Sequence, residues 1–135
     1  MMIRFFIYGL LGWSLEIFWT GLGSFSRGEW RLMGYTYLWM LPIYGLAVFL
    51  EPVHDYIRHW SWIVRGLVWV VAIFAVEYTA GWVLKILTGS VPWDYTWATR
   101  YSVNGFIRLD YAPVWFITGL LFERIHDFLR PLLPR

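Results

Sequence analysis

The amino-acid sequence predicts an all-α, polytopic membrane protein built as a four-helix transmembrane bundle. An apolar composition, a shortage of charge and four long apolar stretches lead to this prediction. Hydrophobic residues make up 59% of the 135 residues and charged residues only 15%, against about 25% charged residues in typical soluble domains. A soluble chain this short cannot bury so many apolar side chains, so lipid is the expected solvent. The length predicts a single domain, residues 1–135.

The four apolar stretches cover residues 3–22, 33–53, 63–87 and 109–125. Each is close to the ~20 residues that a helix needs to cross ~30 Å of hydrocarbon. The first stretch lacks the small-residue cleavage site of a secretory signal, so we interpret it as a retained span. The second is broken by Pro42, which permits a kink. The fourth crosses only if Glu123 and Arg124 extend toward the interface or lie near it.

The connection between the third and fourth spans, residues 88–110, is unusually rich in Trp and Tyr. These rings concentrate at membrane–water interfaces, which predicts an aromatic interfacial connection. It is either an anchor or a lid over the helices. Pro92 and the pair Asn104-Gly105 are turn signals within it. Its candidate binding residues are Trp93, Asp94, Tyr95, Arg100 and Asn104.

Four spans place both termini on one side of the membrane. Six arginines lie on that side, and five lysines and arginines lie on the other. The positive-inside rule then favours termini in the cytoplasm. The predicted location is integral to a membrane, and to the cell membrane in a bacterium.

Two carboxylates lie inside the predicted spans, although insertion there costs about 2.5–3.5 kcal/mol per charged residue. Glu77 is near the middle of the third span, and Glu16 lies past the middle of the first. Spans one and three run in the same direction, so both carboxylates lie toward the face opposite the termini. Helical spacing places each in a stripe of small and polar residues: Gly9, Gly12, Trp13 and Thr20 with Glu16, and Gly81 and Lys85 with Glu77.

Two interpretations of these glutamates remain open. In the first, they only hold the helices together by pairing with Lys85, Arg31, Arg100 or Arg108. In the second, they converge on a polar pocket that binds a solute, a lipid headgroup or a proton. The candidate binding residues within the spans are Glu16, Tyr44, Glu77, Tyr78 and Lys85.

Several functional classes are excluded by the composition and motifs. The net charge of +2 is too small to indicate nucleic-acid binding. The chain has no cysteine, and its histidines show no metal-ligand spacing, since His54 and His59 fall on different helix faces. There is no phosphate-binding glycine loop and no hydrolase or metalloprotease motif. We therefore predict no cofactor, no metal and no direct nucleotide binding.

The chain resembles the ABC-transporter type permease family of the CmpB kind, which includes the vertebrate transmembrane protein 229 group. The resemblance implies a small polytopic membrane protein, and its motif residues include Glu16, Tyr44, Glu77, Trp93, Asp94 and Asn104. The matching pieces run nearly end to end: Tyr8-Gly9, Gly12-Trp13, Glu16, Pro42 to Gly45, Glu77 to Gly81, Trp93 to Tyr95, Asn104 to Ile107 and Leu109 to Phe116.

The leading functional hypothesis is a non-enzymatic component that transports a small solute or supports a larger membrane complex. Four helices enclose little room, so transport would require a homo-oligomer or a partner complex, surrounded by membrane lipids. A second hypothesis is an intramembrane enzyme for a lipid or lipid-linked substrate, with Glu16, Glu77 or Asp94 as acid or base. A third is a purely structural protein with every interior charge paired.

Overall fold

The computed structural model describes residues 1–133, and most of them are helical. Two compact units divide the chain: residues 1–51 with Leu133, and residues 52–132. Short 3-10 helices occupy Leu46–Leu50 and Leu109–Tyr111. The main elements are α1 (Met2–Ser26), α2 (Met40–Gly45), α3 (Glu51–Ile57), α4 (Trp62–Thr88), β1 (Ser102–Val103), β2 (Ile107–Arg108) and α5 (Ala112–Leu132).

Among the described residues, two helices are long and apolar enough to cross a membrane: α1 and α4. They coincide with the first and third predicted spans. Only 11% of the α1 window and 22% of the α4 window is buried, whereas the core helix of a soluble protein would be mostly buried. Large apolar side chains such as Leu22 and Leu87 are exposed, which suits contact with lipid.

The ends of α4 carry clear capping signals. Ser61 precedes the helix, and its side chain accepts a hydrogen bond from the Val64 N–H, as preferred N-cap residues do. Gly89 follows the helix at φ 79°, the left-handed conformation that glycine adopts without strain. These caps set the length of the predicted third span.

The second predicted span differs from the structure. Residues 33–39 form no helix, and the helical path runs from Met40 through α2, the 3-10 segment and α3 to Ile57. Pro42 lies in the first turn of α2, where the N–H that proline lacks would have no intrahelical acceptor. The predicted break at Pro42 is therefore the beginning of the helix and not a kink in its middle.

The fourth predicted span also has different bounds and surroundings. The helix α5 continues to Leu132, seven residues beyond the predicted end at Ile125. Glu123 is buried at 4% exposure, while Arg124 is exposed. Glu123 does not extend outward, because it accepts hydrogen bonds from Arg65 and Trp69 inside the second unit. The alternative, that Glu123 and Arg124 lie near the interface, stays a prediction.

The connection between α4 and α5 contains an antiparallel hairpin of β1 and β2, with Ser102 opposite Arg108. Asn104 and Gly105 have φ angles of 52° and 76°, as the Asn-Gly pair favours in tight hairpin turns. The Phe106 N–H closes the turn on the Val103 carbonyl at 3.1 Å. The turn was predicted, but the all-α prediction is wrong in this short segment.

In the first unit, the predicted small-and-polar stripe of α1 packs on α2 and on the segment that precedes α2. A Cβ on Gly12 would lie 2.3 Å from the Tyr44 ring, so only glycine permits this approach. Two side chains of the stripe, and Ser24 one turn after it, also donate to backbone carbonyls of the non-helical segment. These bonds run from Trp13 Nε1 to Tyr37 O at 2.9 Å, Thr20 Oγ1 to Tyr35 O at 2.9 Å and Ser24 Oγ to Met33 O at 2.7 Å.

In the second unit, α4 and α5 pack closely because two glycines face aromatic rings. A Cβ on Gly66 would lie 2.1 Å from the Phe116 ring, and one on Gly119 would lie 2.1 Å from Trp69 Cβ. Trp69 is only 1% exposed, so its ring has little room to move. The two glycines therefore determine how closely these helices approach.

We expect Gly119→Ala to lower the free energy of unfolding by about 1–3 kcal/mol, the usual range for overpacking a buried contact. Thermal unfolding of the detergent-solubilised chain measures the change. Gly23→Ala in α1 is the matched control, because its Cβ would meet only the flexible end of Arg27, at 3.3 Å. An equal loss in both variants would contradict the assigned contact with Trp69.

Candidate functional site

Glu16 lies in the first unit and is held by a tyrosine. Its Oε2 accepts a hydrogen bond from the Tyr44 hydroxyl at 2.7 Å. Gly12, one turn earlier on α1, leaves the space in which the Tyr44 ring lies. The two predicted binding residues of this unit therefore contact each other, and the hydroxyl that donates belongs to Tyr44 of the Pro42-to-Gly45 motif.

Glu77 lies on α4 in the second unit and is 8% exposed. Its Oε1 accepts a hydrogen bond from the Tyr95 hydroxyl at 3.1 Å. Arg108, one of the cations considered as a partner for the glutamates, instead forms an ion pair with Asp110 at 2.6 Å. Each glutamate thus accepts from a tyrosine of its own unit, and convergence of the two on one pocket stays a prediction.

Asp94 organises the turn that follows Trp93. Its Oδ1 accepts from the Thr96 backbone N–H at 2.9 Å and from the Thr96 hydroxyl at 2.5 Å. These hydrogen bonds lower the pKa of Asp94 below its usual value, because they favour the charged carboxylate. Gly105 packs against the same oxygen, since a Cβ there would lie 2.5 Å from it. This arrangement keeps Asp94 ionised and suits a structural role better than a general acid.

An open groove of about 650 Å³ lies beside the C-terminal part of α4. It brings together three predicted binding residues: Tyr78, Lys85 and Asn104. The Asn104 amide donates to the Tyr78 hydroxyl at 2.8 Å, and the Lys85 ammonium lies 5.7 Å from the centre of the Phe106 ring. The other lining residues are Trp82, Ile86, Thr96 and Phe106.

Four predicted residues of the connection lie outside the lining of this groove: Asp94 and Tyr95, whose contacts are given above, and Trp93 and Arg100. Trp93 is buried and donates its indole N–H to the Phe106 carbonyl at 3.0 Å, so it supports the hairpin from inside. Arg100 lies over the Tyr101 ring at 4.9 Å and donates to its hydroxyl at 2.7 Å. Trp93 is therefore no interfacial anchor, whereas the nearby Trp97 is 94% exposed.

A buried ion pair of the first unit was missed from the sequence. Arg4 Nη1 contacts Glu51 Oε2 at 2.7 Å, and each side chain is only 2% exposed. The Tyr8 hydroxyl donates to Glu51 Oε1 at 2.8 Å, and Arg4 Nε donates to the Leu133 carbonyl at 2.8 Å. Arg4 lies in the first turn of α1, and it neutralises a carboxylate 47 positions away in sequence.

A second missed group joins α3, α4 and α5 inside the second unit. Glu123 Oε1 accepts from Arg65 Nε at 3.0 Å and from Trp69 Nε1 at 2.7 Å. His54 Nδ1 lies 3.4 Å from the same oxygen, and His54 Nε2 lies 3.2 Å from Asp127 Oδ1. We call His54, Glu123 and Asp127 the histidine–carboxylate cluster.

The cluster left one usable signal in the sequence. His126 and Asp127 follow Glu123 by three and four residues, which places both on the same side of the helix as Glu123. His54 lies within α3 and is 3% exposed, whereas His59 lies in the turn after α3 and is exposed. Within residues 1–133, no group of three or more His, Cys, Asp or Glu is arranged to hold a metal ion.

The pH response of the connection follows from Asp94. The pKa of Asp94 is lowered, so its hydrogen bonds to Thr96 stabilise the turn fully at pH values above 3.8, the usual pKa of an aspartate. This stabilisation is lost as the pH falls through the lowered pKa. We expect the Thr96 amide proton shift to titrate by NMR with a midpoint below 3.8. Asp94→Asn should abolish this transition, and a midpoint at or above 3.8 would contradict the assignment.

Comparison with known proteins identifies a family over nearly the whole chain. The family model described as "Putative ABC-transporter type IV" matches residues 3–133. The resemblance drawn from the sequence motifs is thereby confirmed. No solved structure matches the chain.

Proposed function

Because the chain belongs to this ABC-transporter type IV family, we propose that it is a multi-pass component of a membrane transport system. Its site is the groove beside α4, which binds an anionic group of a solute or a lipid headgroup. The observation that carries this proposal is that Lys85 is the only charged side chain among the described residues lining the groove. Four spans would enclose little room, which favours a homo-oligomer or a larger membrane complex as the working unit.

The groove has the chemistry of an anion site with an apolar wall. Lys85 supplies a positive charge, while Tyr78, Thr96 and Asn104 supply hydroxyl and amide groups. The aromatic and aliphatic walls would hold the apolar part of a ligand, as in most small-molecule sites. Its volume of about 650 Å³ is within the ~300–1,000 Å³ typical of such sites.

The position of Lys85 on α4 favours a ligand near the headgroups. The helix runs from Trp62 to Thr88, and at ~1.5 Å per residue it is about 40 Å long. This length exceeds the ~30 Å hydrocarbon core and matches a bilayer with its interfacial regions. Lys85 is three residues from the end, so its ammonium can meet phosphates or carboxylates at the membrane surface.

Binding to vesicles or nanodiscs tests the groove. We expect Lys85→Gln to weaken binding of an anionic phospholipid, phosphatidylglycerol, by about tenfold, since a hydrogen bond to a charged group contributes ~1.5–3 kcal/mol. Arg100→Gln is the matched control, because it removes one positive charge from the connection that follows α4, outside the groove. Native mass spectrometry with the lipid, and competition by inorganic phosphate, distinguish a headgroup from a free anion. An equal loss in both variants would show nonspecific attraction.

We also propose four membrane crossings with cytoplasmic termini. Residues 40–57 form a helical path about 27 Å long, and α5 is about 31 Å long. Both are close to the hydrocarbon thickness. The non-helical residues before Met40 are compatible with membrane depth, because side chains of α1 satisfy carbonyls of this segment.

Introduced cysteines test this topology, because the chain has none of its own. His59→Cys should react with an impermeant thiol reagent only from the cytoplasmic side, together with a cysteine added before Met1. Ser26→Cys and Ser90→Cys should react only from the opposite side. Labelling of His59→Cys and Ser90→Cys from the same side would exclude a single crossing by α4.

A further inference from the structure

The groove beside α4 continues into an exposed apolar face of the same helix. Trp82 and Ile86 line the groove and are exposed, and so are Ala75 and Val71 earlier on the helix. Steps of four and seven residues join these positions, which places them on one side of the helix. We call Val71, Ala75, Trp82 and Ile86 the apolar face of α4.

We propose that the groove takes an anionic phospholipid sideways from the bilayer, with its phosphate at Lys85 and an acyl chain along the apolar face. This inference rests on the proposed function, because it names the ligand of the same groove. It commits to a lipid and not to a free anion. Its basis is that the chemistry along α4 changes in the order in which a phospholipid changes from headgroup to chain.

Lys85 provides the charge that is complementary to a phosphate. Its side chain is exposed and forms no ion pair within residues 1–133. Hydrogen bonds from Thr96 are the main cause of the lowered pKa of Asp94, and the charge of Lys85 adds to this effect without a direct contact. The ammonium is therefore available to an external anion. A lysine near the end of a helix can place its ammonium among headgroups while its stem covers apolar surface.

Tyr78 and Asn104 provide neutral donors deeper in the groove. Tyr78 precedes Lys85 by seven residues, or about 10 Å at ~1.5 Å per residue. Its hydroxyl accepts from the Asn104 amide at 2.8 Å, which leaves its own O–H and the second amide N–H to donate. The ester carbonyls of a phospholipid lie on the chain side of the phosphate and accept hydrogen bonds without carrying charge. Neutral donors below a cation therefore fit these esters.

Phe106 lies against both polar points of the groove. Its ring centre lies 5.0 Å from that of Tyr78 and 5.7 Å from the Lys85 ammonium. The ring packs on α4 over Gly81, where a Cβ would lie 3.1 Å from it. A ligand that contacts both groups therefore lies along an aromatic wall, which suits an amphiphile better than a bare inorganic anion.

The apolar face is long enough for a chain of one leaflet. Ala75 precedes Lys85 by ten residues, or about 15 Å at ~1.5 Å per residue, which is half of the ~30 Å hydrocarbon core. Contact with an apolar helix gains little over contact with other lipid chains. The apolar face therefore sets the direction of the chain, and the polar groups of the groove select the lipid.

Photo-crosslinking of the full-length chain tests this position of the lipid. The chain is placed in nanodiscs of phosphatidylcholine that contain a small fraction of phosphatidylglycerol with a photoactivatable diazirine in one acyl chain. Peptide mass spectrometry locates the adducts. We expect about tenfold more adducts on the apolar face of α4 than on exposed residues of α1 such as Leu11 and Phe18, as one hydrogen bond to a charged group would give.

Four variants assign this excess to the groove. Lys85→Gln should remove the excess, and Tyr78→Phe should reduce it about threefold, as expected for one neutral hydrogen bond. Arg100→Gln and Tyr101→Phe are the matched controls outside the groove and should keep it. Phosphatidylcholine with the same photoactivatable chain should label α1 and α4 evenly, because its headgroup has no net charge.

Even labelling of α1 and α4 by the phosphatidylglycerol probe would overturn the proposal, because it would show ordinary lipid contact. Broadening of the ³¹P NMR signal of inorganic phosphate measures binding of a free anion separately. Even labelling together with Lys85-dependent phosphate binding would leave the proposed function standing and exclude only the lipid. Even labelling without phosphate binding would contradict both.

Discussion

The requirement that every polar group in lipid has a partner explains much of this structure. An unpaired carbonyl in hydrocarbon costs several kcal/mol. The residues before α2, which we propose lie at membrane depth, form no helix. Three side chains of α1 donate to this segment: Trp13, Thr20 and Ser24. The irregular backbone persists because α1 replaces its missing helical bonds, and glycines on the same helix allow the close approach.

The same requirement explains why the buried charges come in groups. Arg4 and Glu51 neutralise each other in the first unit, and Arg65 neutralises Glu123 in the second. Removing one member of such a pair leaves an uncompensated buried charge, which destabilises far more than losing an exposed pair. Trp69 both donates to Glu123 and packs on Gly119, so the polar group and the helix contact depend on one side chain.

The sequence predicted what is local and missed what depends on distant partners. The apolar runs of α1 and α4, the stripe around Glu16 and the Asn104-Gly105 turn all follow from neighbouring residues. The convergence of Tyr78, Lys85 and Asn104 was partly predictable, because they belong to one span and the connection that follows it. Arg4 and Glu51 are 47 positions apart, and no local pattern reveals their contact. The partners of Glu123 were missed because its neutralising Arg65 lies on another helix.

The charges along α4 connect the two candidate sites of the second unit. This helix carries three charged residues, Arg65, Glu77 and Lys85. Arg65 and Lys85 are separated by about 30 Å at ~1.5 Å per residue, which equals the thickness of the hydrocarbon core. If α4 crosses the bilayer as proposed, this spacing places Arg65 near one interface and Lys85 near the other. In the proposed crossing by α4, Arg65 contacts Glu123 near one surface, and Lys85 lines the groove near the other. Because the same rigid helix carries both, a change in packing around Glu123 would act on the element that forms a wall of the groove.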